Sequence, residues 1–251
     1  MIHFVGAGSG AVDLITVRGM NLLKEADVVI YAGSLVNPEL LEYCKEGAEI
    51  FNSAYMDLGE VLALFEKYEN DGKNIVRLHT GDPSLYGAIG EQIEFLKAKD
   101  IDFDVTPGVT AAFSAAAALG QELTLPGITQ TVIFTRVEGK TKVPSKESIK
   151  ALAQAGATMA VYLSASQAAK LKEDLLAGYS EDTKVAICHK VSWDDQKIII
   201  STIKDMDKAV KENGLELTTL FLVGDVLEAT DFEKSRLYAS DFQTIFRKGS
   251  V

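Results

Sequence analysis

The sequence predicts an α/β protein of two α/β lobes with an interlobe cleft, the N-terminal sheet mainly parallel and the C-terminal sheet mixed. Three observations carry that expectation. Through the first half, short β-branched runs alternate with helix-patterned segments, as in a parallel sheet with helices on both faces. Between Gly120 and Gly127 charges become few, and Pro126-Gly127 marks a turn. Beyond it, strand-like runs near residues 185 and 198 follow each other with no helix between them, which fits an antiparallel hairpin in a mixed sheet. The expected division is an N-terminal lobe at 1–112, a linker at 113–128 and a C-terminal lobe at 129–251. A length of 251 residues suffices to bury a sizeable core, and a cleft between two lobes is a natural small-molecule site.

Each element has its own signal. Residues 2–5 read as a first strand and 14–25 as a helix, followed by a strand at 28–31 and a short helix at 38–44. Val61, Leu62, Leu64 and Phe65 stand at helical spacing within a helix at 58–68, which the Asn70-Asp71-Gly72 breaker closes. A β-branched run at 75–78 reads as a buried strand, 88–96 as a helix and 103–105 as a short strand, and Pro107-Gly108 ends this half. In the second half strands are expected at 131–135, 159–163, 185–187, 198–200 and 220–223, with helices at 148–155 and 167–176. No sequence repeat relates the halves.

Composition excludes several classes of function. Lys plus Arg number 25 against 36 Asp plus Glu, a net charge of −11, which argues against broad nucleic-acid or anionic-membrane binding. Cys44 and Cys188 are far apart and without a metal-ligand pattern, which reads as two buried thiols in a reducing compartment. No basic leader and no run of about 20 apolar residues is present, so a soluble, cytoplasmic protein is expected. His3, His79 and His189 are scattered with no partner at helical spacing, so no metal site is expected. A P-loop and a G-x-S-x-G nucleophile elbow are both missing.

Two segments stand out as candidate ligand loops. Gly6, Gly8 and Ala11 satisfy the loose dinucleotide pattern G-x-G-x-x-A after the first strand. That reading also needs an acidic residue near the end of the second strand, and Ile30-Tyr31-Ala32-Gly33-Ser34 has none. The alternative is a tight backbone loop whose glycines allow close approach. The second segment, His79-Thr80-Gly81-Asp82-Pro83-Ser84-Leu85-Tyr86-Gly87, follows a strand and precedes a helix-patterned run. Open α/β sheets hold their ligands at such carboxyl ends of strands. Asp82 is either an acceptor for a ligand or an N-cap, and Pro83 suits the first turn of a helix.

Three segments together resemble a known family. Residues 5–16, from Val5-Gly6-Ala7-Gly8 to Ile15-Thr16, resemble the N-terminal signature of the tetrapyrrole (corrin/porphyrin) methylases, which use S-adenosylmethionine. Residues 78–87 are similar to that family's Gly-Asp-Pro loop, and Thr106-Pro107-Gly108-Val109-Thr110-Ala111 looks like its Pro-Gly-Val-Thr turn. Order and separations agree, and the resemblance extends over essentially the whole chain. Within the superfamily, Tyr31-Ala32-Gly33-Ser34-Leu35-Val36 and Gly81-Asp82-Pro83-Ser84-Leu85-Tyr86-Gly87 look like the precorrin-4 and cobalt-precorrin-4 C-11 methyltransferases of cobalamin biosynthesis. Ser9 departs from the family's common proline.

The resemblance implies S-adenosylmethionine as cofactor, S-adenosylhomocysteine as product and a cofactor pocket between the lobes. By motif match that pocket includes Thr80, Gly81, Asp82, Leu85, Thr110 and Ala111, and further along the chain Leu163 and Val191. It also implies a tetrapyrrole substrate, no nucleic-acid or membrane partner, and a homodimer. Tyr31, Ser34 and Tyr86 are candidates to line the macrocycle. Its carboxylates need local cations, for which Arg136 is favoured over Arg18, Arg77, Lys140 and Lys142. Positive charge leaves sulfur in the transition state, so a carboxylate against it would favour the ground state. Asp82 is therefore expected to position rather than to react, although a base role toward the tetrapyrrole is also considered, and no catalytic residue is otherwise assigned. Competing expectations are methylation of another target, such as uroporphyrinogen III or the diphthamide precursor, a non-catalytic tetrapyrrole- or nucleotide-binding module, and an NAD-dependent oxidoreductase.

Overall fold

Among the described residues ten strands are arranged in two five-stranded sheets, and nine of them fall on the runs read as strands in the sequence. The structure is a computed structural model that describes residues 1–248, and the Ser34 side chain also lies outside the described residues. The chain divides into a first unit, Met1–Ala118 with Lys190–Lys197, and a second, Leu119–His189 with Ile198–Val251.

In the first unit, β1 (Ile2–Gly6), β2 (Val28–Tyr31), β3 (Glu49–Asn52), β4 (Ile75–His79) and β5 (Phe103–Thr106) lie in the order β3-β2-β4-β1-β5. All four neighbouring pairs are parallel. Crossovers run through α1 (Val17–Glu25), α2 (Leu58–Asn70) and α3 (Gly90–Ala98), and α4 (Ala111–Leu119) follows β5. Alternation along the strands fills two cores. Val5, Val29, Val76 and Leu78 pack with Leu23 of α1 on one face. On the other, Ile2, Phe4, Ile30 and Ile75 meet Phe65 of α2 and Leu96 of α3. Arg77 and His79 share this second face with Ile75, since they alternate with Val76 and Leu78.

Several boundaries differ from expectation for local reasons. The first helix begins at Val17 rather than 14, because the Thr16 side chain caps it by accepting from the Gly19 amide at 3.0 Å. Residues 38–44 form a 3-10 turn, Pro38–Tyr43, capped by Asn37. The short, polar β3 is not expected from the sequence; it pairs with β2 at the sheet edge, and Phe51 packs against Tyr68 of α2. Residues 113–119, expected as linker, belong to α4, whose run of alanines has the highest intrinsic helix propensity. Residues 190–197 join the first unit although they fall within the expected C-terminal lobe.

In the second unit, β6 (Val132–Arg136), β7 (Thr158–Tyr162), β8 (Lys184–His189), β9 (Lys197–Thr202) and β10 (Thr219–Val223) are ordered β6-β7-β10-β8-β9. β6 and β7 are parallel, whereas β10 runs antiparallel to β7 and to β8. This is the mixed sheet the sequence predicts. Met159, Val161, Val185, Ile187, Phe221 and Val223 share a core with residues of α5 (Ile149–Ala153), α6 (Ala168–Leu175) and α7 (Met206–Glu212). Among the described residues no helix is long and apolar enough to cross a membrane.

Candidate functional site

Strand order assembles the candidate site. β1 lies between β4 and β5, so the loops leaving their carboxyl ends, Gly6 onward, Thr80 onward and Pro107 onward, emerge side by side. Three glycines let those loops touch. A Cβ on Gly6 would lie 2.6 Å from both Gly108 Cα and the Gly81 carbonyl oxygen, and one on Gly108 would lie 2.1 Å from that same oxygen. Any side chain at either position would force the backbones apart. Gly8 and Gly81 complete the junction, with the Gly81 amide donating to the Gly8 carbonyl at 2.8 Å and Ala7 to His79 at 2.7 Å. The glycines of the G-x-G-x-x-A pattern thus serve contact between main chains. The first α-helix starts only at Val17, not at the end of the glycine loop as a pyrophosphate-binding turn requires.

Asp82 is the clasp of this junction. Its Oδ1 accepts the Ser84 amide at 2.8 Å and its Oδ2 the Gly108 amide at 2.9 Å. It caps no helix, because α3 starts at Gly90. Helix cannot begin at Pro83, since Tyr86 (φ 58°) and Ala88 (φ 51°) hold left-handed backbone that a helix excludes. Gly87 between them is packed so closely that a Cβ would meet the Pro83 carbonyl oxygen at 2.2 Å.

Residues 190–197 close over the glycine loop from the other side. Trp193 Nε1 donates to the Ser9 carbonyl at 3.0 Å, and a Cβ on Gly10 would come within 2.2 Å of the indole. Ser9, buried, bonds through its hydroxyl to Ser114 at 2.6 Å and to Ser192 at 2.8 Å. The Ala11 amide donates to Ser192 Oγ at 3.1 Å. Ser114, Ser192 and Trp193 were not expected from sequence. The departure of Ser9 from the family's proline was the signal available: a hydroxyl there needs partners.

Within the first unit, Thr80, Gly81, Asp82, Leu85, Thr110 and Ala111 do converge. Gly81 lies beside Thr110, with 3.7 Å from a Cβ on the former to Cα of the latter, and the Leu85 amide bonds the Asp82 carbonyl at 3.2 Å. Thr80 Oγ1 and Thr106 Oγ1 are buried without a hydrogen-bond partner. Val191 is buried and sits between Lys190 and Ser192, both at positive φ. Tyr31 ends β2 and packs partly into the core beside α1, whereas Tyr86 is 43% exposed. Of Ser34 only the backbone, in the turn Gly33–Leu35, is described.

In the second unit, Leu163 follows β7 at φ 52° and is 63% exposed. Arg136 ends β6, and its guanidinium donates to the carbonyls of Val137, Thr141 and Lys142 at 3.1–3.4 Å. Those bonds organise its own following loop, so a substrate carboxylate would have to compete with them.

Arg77 and His79 are not surface groups. Arg77 is 7% exposed, its pKa lowered by burial to about 10. His79 is 3% exposed and held neutral, its pKa lowered to about 3 by burial and then by the adjacent Arg77 charge. Its ring lies 6.0 Å from that of Phe4, and its Nε2 is buried without a partner. His3 instead reaches Asp104 on the neighbouring strand at 3.0 Å. Among the described residues no group of three or more His, Cys, Asp or Glu could hold a metal ion, and both cysteines are free thiols. Cys188 is inert, its pKa raised by burial to about 12; Cys44 is half-buried rather than fully so.

Comparison with known proteins places these features in a family. A family model described as Tetrapyrrole (Corrin/Porphyrin) Methylases matches residues 1–207. A cobalt-precorrin-4 C(11)-methyltransferase of Methanocaldococcus jannaschii is 49% identical over 248 residues, 98% of this chain and 96% of that protein. A precorrin-4 C(11)-methyltransferase of Pseudomonas aeruginosa is 43% identical, with 99% of each chain covered. The solved structure of a cobalt precorrin-4 methyltransferase, described as a cobalamin biosynthetic enzyme, superimposes with a TM-score of 0.88 at 45% identity. The match covers 91% of this chain and 96% of that one.

Proposed function

The chain belongs to the tetrapyrrole (corrin/porphyrin) methylases, and we propose that it transfers a methyl group from S-adenosylmethionine to C-11 of precorrin-4 or its cobalt complex, in cobalamin biosynthesis. Near-full-length relatives named for that reaction, at 43% and 49% identity, support the choice of substrate. The observation that carries the reading is the meeting of three motif loops at the carboxyl ends of β4, β1 and β5. The Thr80 hydroxyl lies buried there without a protein partner.

The residues present fit the cofactor. A buried hydroxyl left unpaired costs about 1–3 kcal/mol, and a polar nucleoside or amino-acid group bonded to Thr80 Oγ1 would remove that cost. Gly81, at φ 62°, presents no side chain beside Thr110, and Leu85, Ala111 and Val191 are the apolar members of the set. When bound, S-adenosylmethionine supplies an activated methyl group on a sulfonium that departs as a neutral thioether. The chain's task is then alignment and exclusion of water, which can lower a barrier by about 7–11 kcal/mol. Asp82 contributes by holding the loops in register. With both oxygens bonded to main-chain amides, its role is architectural, and no proton transfer is assigned to it. Tyr31 and Tyr86 provide faces for a flat macrocycle.

Isothermal titration calorimetry tests this reading. S-adenosylhomocysteine is expected to bind and NADH not to. Asp82→Ala should weaken S-adenosylhomocysteine binding by about tenfold, since two stranded amides loosen the junction by roughly 1–3 kcal/mol. Tight NADH binding without S-adenosylhomocysteine binding would contradict the proposal.

A further inference from the structure

Arg77 has no part in the chemistry above, yet it is a cation enclosed in a β-sheet core. Desolvating a guanidinium costs several kcal/mol, and among the described residues no carboxylate lies within ion-pair distance to offset it. Two hydrogen bonds occupy it instead. Nη1 donates to the Ile30 carbonyl at 3.1 Å, and Nε donates to Gln92 Oε1 at 3.3 Å. Gln92, 4% exposed on α3, donates in turn from Nε2 to the Ala88 carbonyl at 3.0 Å.

This relay joins the carboxyl end of β2 to the segment that leads into α3. Ile30 immediately precedes Tyr31, and Ala88 follows Tyr86 by one glycine. The Tyr86–Ala88 segment stores strain, with both residues in left-handed backbone, a conformation costing about 1–3 kcal/mol each unless its surroundings enforce it. Asp82 holds the start of that loop and Gln92 its end. A neutral side chain could make either of Arg77's bonds at less cost. Only the planar fork of arginine reaches two acceptors with fixed relative geometry.

We propose that Arg77 and Gln92 are positioning residues that fix the spacing between Tyr31, at the carboxyl end of β2, and the Tyr86 loop, and so determine how tightly the tetrapyrrole is held without touching it. The inference rests on the substrate reading of those two tyrosines.

Gln92→Glu separates this role from a merely structural one. Glutamate still accepts from Arg77 and gives it a counter-charge, but cannot donate to the Ala88 carbonyl. Gln92→Met, similar in shape, removes both bonds and serves as the second variant. Steady-state methylation of cobalt-precorrin-4, calorimetry with S-adenosylhomocysteine and thermal unfolding are measured on each. For Gln92→Glu the expected result is an undiminished unfolding midpoint and an unchanged S-adenosylhomocysteine Kd. Its KM for the tetrapyrrole should rise by about tenfold or more, the scale on which substrate misplacement acts. Arg77→Lys should behave alike, since one ammonium cannot span both acceptors. An unchanged KM in both Gln92 variants would overturn the proposal, as would equal losses of cofactor and substrate affinity. A parent protein that fails to methylate would overturn the functional reading and this inference together; a working parent with indifferent variants overturns the inference alone.

Discussion

Asp82 directs its two carboxylate oxygens at different stretches of main chain, Ser84 in its own loop and Gly108 in the next. An asparagine there would aim an NH2 group at one of two N–H donors, so even that substitution breaks the clasp. The local sequence already marked Asp82 as a cap or a ligand acceptor, but its partner lies 26 residues away, beyond any local pattern. His79 shows the same limit. It stands beside the Gly-Asp-Pro loop in sequence, whereas strand alternation turns its ring into the core against Phe4. That burial has a pH consequence. The folded-state pKa of about 3 lies below the ordinary 6.5, so between these values the unfolded chain binds a proton that the folded chain refuses. Stability is therefore complete above about pH 6.5 and falls as pH drops toward 3, by up to about 1.4 kcal/mol per pH unit. Thermal unfolding at pH 7 and pH 5 should show a larger loss in the parent than in His79→Leu. Equal losses would mean that the imidazole is not held neutral.

Parallel strands in the order β3-β2-β4-β1-β5 place three loops together that are widely separated in sequence. Each loop was visible as a Gly- or Pro-containing break after a β-branched run, so the strands of this sheet were legible except for the polar β3. Their adjacency was not, because sheet order depends on crossovers rather than on local pattern. Only the family resemblance linked the loops beforehand. The docking of residues 190–197 on Ser9 and Gly10 was also hidden, since one tryptophan and two serines form no motif. A substitution pair tests the glycine junction. Gly108→Ala should lower the unfolding free energy by at least about 3 kcal/mol, because its Cβ would meet backbone that cannot yield. Gly90→Ala, with nothing near its Cβ, should change it by at most about 1 kcal/mol, in the stabilising direction expected for a helix. Circular dichroism melts give both values, and a tolerated Gly108→Ala would show that the loops do not need contact.

For the whole molecule, fold class was the most legible property. The alternating first half gave a parallel sheet and the unbroken strand pair gave a mixed one, as hydrophobic burial on one or two faces requires. The boundary was less legible, because an alanine-rich helix with few charges resembles a linker in composition. The net charge of −11 bears on substrate as well as on solubility: a polycarboxylate tetrapyrrole meets long-range repulsion that short-range contacts must overcome. Turnover should therefore depend more on loop geometry than on electrostatic steering, consistent with a site built from glycine contacts and an Asp82 clasp. The reaction assigned to the chain turns on the position of the transferred methyl group. Incubating the protein with precorrin-4 or its cobalt complex and an isotope-labelled methyl donor, then locating the label by NMR, tests it directly. The label is expected at C-11; a label at any other carbon, or none, would rule out C-11 methylation.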